Sequence, residues 1–236
     1  MIKDNILKIK ERIAQVCSKA NRDPSQITVI AVAKGRSADE IRQVIDAGIN
    51  DIGENKVQET ILKYDELMNQ RTIEPANLRT IRWHMVGHLQ TNKVKDAVRI
   101  FDLIHSVDSL HLAQEIDKQA SRINKVQDIL IEVKTSEEAT KFGLKPEETI
   151  EVIKELARLK NINIIGLMTI APLVDNPEEA RPYFHQLREL KEMLNSLHIT
   201  PYTLHTLSMG MSDDFEVAIE EGSNLVRLGR AIFSRQ

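Results

Sequence analysis

Lys34 directly follows the apolar run Ile30-Ala31-Val32-Ala33. A lysine in that position can attack a carbonyl if its amine is neutral. An ordinary lysine, with a pKa of about 10.4, is protonated and a poor nucleophile at neutral pH. Loss of water around the amine, or a second cation such as Arg36 or Arg227, favours the form that condenses with an aldehyde. Position alone also suits a lysine that lays its stem on apolar surface and keeps its charge in water.

Two glycine-bearing turns complement that amine. Ser208-Met209-Gly210-Met211-Ser212 leads into Asp213-Asp214, and a serine with glycine there offers hydroxyl and backbone N–H donors to an anion. Helix capping by Ser212 is the plainer reading of the same residues. Val226-Arg227-Leu228-Gly229-Arg230 forms the second turn. The histidines do not suggest a metal: His84 and His88 are four apart in a strand-and-turn segment, with no Cys or close carboxylate to complete a set. His105, His111, His185, His198 and His205 read as core-edge or surface residues.

The elements that must position these groups alternate. Ile2, Ile6, Ile9, Ile13 and Val16 recur at helical spacing and predict a long opening helix, with Cys17 on its apolar side. Ile27 to Val32 is a β-branched run too apolar for a wet face, as in a buried parallel strand. Ser37 with Glu40 is a capping-box pair opening a helix that Gly48 ends. Further strands are expected at Asp51 to Gly53, Arg82 to Val86, Leu103 to Val107, Ile129 to Val133, Ile162 to Ile170, His205 to Ser208 and Leu225 to Leu228. Helices are expected at Ser109 to Ile123, Pro146 to Leu159, Pro177 to Leu197 and Ser212 to Glu221, with a surface loop from Gln70 to Thr80. This rhythm predicts a (β/α)8 barrel with an extra N-terminal helix, in one domain spanning residues 1–236; a doubly wound open sheet is the alternative. In a barrel, ligands sit at the carboxyl ends of the strands, and phosphate favours the loops after the seventh and eighth. Both glycine turns fall there.

The net charge of −3, without a basic block, argues against nucleic acid as a partner. The single cysteine leaves no disulfide framework and suits a reducing compartment, so the expected location is the cytoplasm. The charged opening residues do not form a secretory signal, and the most apolar stretch, Ile162 to Val174, is too short and broken to span a bilayer.

Taken together, the segments resemble the pyridoxal phosphate homeostasis protein family, single-domain relatives of the alanine racemase barrel. The pieces are Ala31 to Lys34, Ile52 to Glu59, Trp83 to Lys93, Lys141-Phe142-Gly143, Gly166-Leu167-Met168, Leu207 to Asp213 and Val226 to Phe233, in family order and spacing. The resemblance implies a fold-type III barrel that binds pyridoxal 5′-phosphate (PLP) as a Schiff base on Lys34. It further implies Ser208 and the backbone near Gly229 and Arg230 at the phosphate, and Arg227 near the ring or phosphate. Asn55, His84, Met168 and Met209 would line the ring pocket. Two departures stand out. Gly35-Arg36 replaces a Thr and a second Lys, leaving Lys141 as the candidate for a transfer role. Arg230 replaces a small hydroxyl residue.

The same resemblance bears on activity. PLP is an electron sink tuned at its pyridine nitrogen, and an arginine partner keeps the sink weak. The racemase relatives add a C-terminal domain and a tyrosine base; this chain ends just after its eighth strand, and Tyr64, Tyr183 and Tyr202 lie in no matched motif. The expectation is a carrier in vitamin B6 and amino-acid balance, with no catalytic residue assigned. Its partners would be PLP and apo-PLP enzymes, and it would be a monomer, a weak dimer being the alternative. A weak amino-acid racemase and a cofactor-free Schiff-base aldolase are the competing functions.

Overall fold

The computed structural model describes residues 1–69, 81–138, 141–198 and 203–234; the expected loop from Gln70 to Thr80, and Tyr202, lie outside them. Eight strands close into a barrel in chain order: β1 (Thr28–Val32), β2 (Asp51–Glu54), β3 (Arg82–Met85), β4 (Leu103–Val107), β5 (Gln127–Glu132), β6 (Ile162–Met168), β7 (Thr206–Ser208) and β8 (Leu225–Leu228). Neighbours are parallel throughout, and β8 pairs back onto β1 with Ile30 opposite Arg227. The closed barrel is the fold expected above, and the open sheet is excluded.

Helices α2 (Ala38–Asp46), α3 (Val57–Asn69), α4 (Val94–Ile100), α5 (Leu110–Ser121), α6 (Pro146–Leu156), α7 (Arg181–Ser196), α8 (Phe215–Glu220) and α9 (Arg230–Phe233) follow the strands. The α2 capping box forms as its spacing predicts: Glu40 N–H donates to Ser37 Oγ at 3.2 Å, and Ser37 N–H to Glu40 Oε2 at 2.9 Å. The opening helix α1 (Ile2–Lys19) buries Ile2, Ile6, Ile9, Ile13, Val16 and Cys17. It lies along α8 and α9, where the barrel closes. Asn5 Nδ2 donates to Ile232 O at 2.9 Å and Ser234 O at 3.2 Å, and Arg12 makes a two-pronged pair with Glu216 at 3.0 and 3.1 Å. Cys17 is sealed in this contact, where burial raises its thiol pKa. It is a core residue.

Several boundaries differ from the sequence reading, three of them at elements after β6 and β7 or at the end of β6 itself. The helix expected from Ser212 starts at Phe215, because Asp214 Oδ1 accepts from Met211 N–H at 2.6 Å and folds 211–214 into a turn. Pro177 opens a separate 3₁₀ turn before α7, and β6 stops at Met168. No helix among the described residues is long and apolar enough to cross a membrane.

His105 is the main correction to the histidine reading. All of β4 is buried, one side of the strand facing the helix layer and the other the barrel interior. His105 bonds to Ser208 on β7, which is not a neighbour of β4, so this side chain crosses the interior. It belongs to the core.

Candidate functional site

A cleft of about 540 Å³ opens at the carboxyl ends of the strands. Lys34, Asn55, Ser212, Arg227, Gly229 and Arg230 all line it, from β8 and from the segments that follow β1, β2, β7 and β8. Lys141 and the segment from Ile170 to Val174 complete the rim.

The backbone around Lys34 is fixed from below. Ala33 N–H donates to Gly53 O at 2.9 Å, and Ala33 O accepts from Arg36 N–H at 3.0 Å and Lys63 Nζ at 2.8 Å. Lys63 also pairs with fully buried Glu54 at 2.5 Å; burial raises the Glu54 pKa, and the Lys63 bond and charge oppose it. Gly35 takes φ +68°, a left-handed conformation that favours glycine. The glycine that departs from the family pattern therefore makes the turn, leaving Lys34 exposed on the cleft wall. Arg36 stays off that wall: it pairs with Glu40 at 3.3 Å and lies over the Phe233 ring at 5.1 Å.

The turns after β7 and β8 are built for an anion. Gly210, at φ +93°, lets the β7 turn fold tightly: an added Cβ would fall 2.6 Å from Ala218 Cβ. Ser212 Oγ accepts from Ala231 N–H at 3.1 Å, which leaves its own hydroxyl hydrogen for a ligand. The Arg230 N–H opens α9 on the cleft side and, as a first-turn donor, has no acceptor within the helix. The Arg230 side chain pairs with Asp213 and ties the two turns together.

Arg227 forms the floor. Its guanidinium donates to Ser208 O and Ser208 Oγ, both at 2.7 Å, and to Thr169 O at 2.8 Å. Burial pushes its pKa down to about 10, with Glu132 and Asp214 opposing, so it remains a cation at neutral pH. Glu132 lies in a side cavity of about 150 Å³ that shares Lys141 and Ile170 with the main cleft. Burial pushes its pKa up to about 7; Asp108 adds to the rise and Arg227 opposes it.

Of the residues proposed from the sequence, the cleft collects Lys34, Asn55, Arg227, Gly229 and Arg230. It does not collect His84, Met168, Ser208 or Met209, which are all buried and absent from its lining. Met168 packs with Leu103 and Leu130 inside the barrel. The Ser208 hydroxyl is taken by Arg227 and His105. Ser212 is the residue that sequence reasoning passed over as a helix cap. Its cue was its place in the loop after the seventh strand, where barrels hold phosphate.

Fold and cleft together define a parallel α/β barrel with an amine and an anion cradle in one cleft at its mouth. The alanine racemase N-terminal domain family matches residues 5–235. The pyridoxal phosphate homeostasis protein of Aquifex aeolicus is 41% identical over 233 residues, 99% of this chain and 97% of that relative. The chain belongs to the pyridoxal phosphate homeostasis protein family. An unknown protein from Bifidobacterium adolescentis superposes with a TM-score of 0.89 at 34% identity, over 98% of this chain and 94% of that one. PipY of Synechococcus elongatus, solved with PLP bound, superposes with a TM-score of 0.81 at 35% identity, over 96% of this chain and 100% of that one.

Proposed function

We propose that this chain binds PLP in the cleft, joined as a Schiff base to Lys34, and acts in PLP homeostasis without strong catalytic activity. The observation that carries the reading is that the Lys34 amine and the anion donors of Ser212 and the Gly229-Arg230 turn line one cleft. The donor set fits an aldehyde that bears a phosphate. Bound PLP supplies an electron sink. PipY, of matching fold, was solved with PLP bound, and relatives over nearly the full length are named PLP homeostasis proteins.

The chain's own residues bind and orient in this reading. Lys34 provides the amine, Ser212 and the Gly229-Arg230 backbone grip the phosphate, and Asn55 flanks the ring. Arg227 holds a positive charge on the floor, which suits a store better than a strong sink. A racemase needs a second base facing the lysine. Tyr64 and Tyr183 are both absent from the cleft lining. Exchange of PLP with apo-enzymes in the cytoplasm, by a monomer made of one domain, completes the proposal.

An absorption spectrum with PLP, before and after borohydride, tests it. The expected outcome is a yellow protein whose reduced pyridoxyl group maps to Lys34, with the colour and label lost in Lys34→Ala. A label on Lys134 or Lys141 overturns the assignment, and a protein that stays colourless with PLP overturns the function. D-amino-acid formation above that of free PLP, lost in Lys34→Ala, would establish the racemase instead.

A further inference from the structure

A line of polar side chains crosses the barrel interior beneath the cleft. Arg227 Nη1 meets Ser208 Oγ at 2.7 Å, and Ser208 Oγ meets His105 Nδ1 at 2.9 Å. His105 Nε2 meets His84 Nδ1 at 3.0 Å, and His84 Nε2 meets Asp51 Oδ1 at 2.8 Å. Ser208, His105 and His84 are essentially without solvent contact. Asp51 ends the line at a second cleft, of about 460 Å³, lined by Lys10, Gly48 and Asn50 among others, toward the amino end of β2. The line therefore runs from the mouth of the barrel to its opposite end.

With both rings neutral, its protons have one self-consistent order. An ionised aspartate only accepts, so His84 Nε2–H donates to Asp51. A neutral His84 then accepts at Nδ1, and His105 donates to it from Nε2. A neutral His105 accepts at Nδ1, which takes the Ser208 hydroxyl hydrogen. The Ser208 oxygen, its hydrogen spent, accepts from Arg227. Burial, with the Arg227 charge adding to it, pushes the His105 pKa well below the usual imidazole range and keeps that ring neutral. Every donor points away from the cation and toward the carboxylate, and no hydrogen in the line lacks a partner.

We infer that Asp51, His84 and His105 are positioning residues for the cleft: acting through Ser208, they fix the Arg227 guanidinium that forms its floor. This rests on the reading that PLP occupies the cleft above Arg227. None of the three touches the cleft, so their effect is exerted on the orientation of Arg227. Removing the terminal acceptor or the middle link frees the Ser208 hydroxyl to turn, and Arg227 loses a fixed acceptor.

Nitrogen-15 NMR of the imidazoles in the protein without PLP tests the proton order, and PLP titration tests the consequence. Both His84 and His105 are expected as neutral Nε2–H tautomers at neutral pH. Asp51→Leu and His105→Leu are expected to weaken PLP binding about tenfold, the size of one hydrogen bond to a charged group, and to move the absorption maximum of the bound cofactor. Asp51→Asn and His105→Gln, which keep an acceptor in place, are expected to recover most of both. Either ring as an Nδ1–H tautomer overturns the inference. So does a PLP affinity and absorption maximum within twofold and a few nanometres of wild type in both Leu variants. A wild type that takes up no PLP overturns the reading of the cleft instead, and the tautomers in the same sample still decide the proton order.

Discussion

Single side chains decide what the mouth of the barrel can hold. Ser212→Ala removes the hydroxyl at the anion end, and PLP affinity is expected to fall about fivefold to tenfold while Lys34 is still labelled by borohydride. Glu132 offers a different test. Its folded pKa of about 7 lies above the ordinary carboxyl value of 4.5, so its contribution to stability is fully present below pH 4.5 and is lost as pH rises through 7. The full loss is of order 3–4 kcal/mol. Denaturant melts of Glu132→Gln against wild type from pH 4.5 to 8 should show the variant gaining relative stability as pH rises; parallel curves would refute it. Lys34 and the two glycine turns were legible because they interrupt apolar runs at the ends where barrels bind ligands. The interior polar line was not, since His105 and Ser208 lie 103 residues apart and burial inside a barrel leaves no periodic signature.

Elements place those side chains, and the β1–α2 connection is the one under greatest constraint. Gly35→Ala meets no steric neighbour, since nothing lies within 4 Å of an added Cβ, yet φ +68° is strained for any other residue. The expected cost is about 1 kcal/mol, together with a measurable fall in PLP affinity as Lys34 moves. A loss of stability with unchanged affinity would show the turn to be independent of the site. Helix α2 and strands β1, β4 and β8 followed from capping residues and apolar runs, because those signals are local. The start of α8 did not: the bond that Met211 N–H donates to Asp214 Oδ1 and the tight turn at Gly210 override the apolar pattern there. The Lys63–Glu54 pair was also hidden, since Lys63 donates from α3 to the backbone carbonyl of Ala33, 30 residues earlier in the chain.

The barrel as a whole is a closed ring whose seam is covered by α1. Ile9 is 2% exposed in that contact, so Ile9→Ala is expected to cost about 2–4 kcal/mol in a chemical melt. Arg12→Ala, whose pair with Glu216 is nearly half exposed, should cost less than about 1 kcal/mol. Ligand binding should report on the same global equilibrium: PLP at about 100 times its Kd stabilises the wild type by about 2.7 kcal/mol, and Lys34→Ala should show little of that rise in melting temperature. An equal rise in both proteins would place the stabilising contacts away from Lys34. The order of eight strands was readable from the alternation of elements. Closure was expected from their number, eight with following helices, and the β1–β8 pairing decides it against the open sheet, because nothing local distinguishes the two.

The clasp between α1 and residues 215–233 also governs how the molecule is made. During synthesis the isoleucine face of α1 leaves the ribosome nearly the whole chain ahead of the surface that shelters it. At 5–20 residues per second, roughly, that face stays without its native cover for about ten seconds or more. The chain therefore gains this seal only once residues 215–233 have emerged, and until then α1 carries an uncovered isoleucine face.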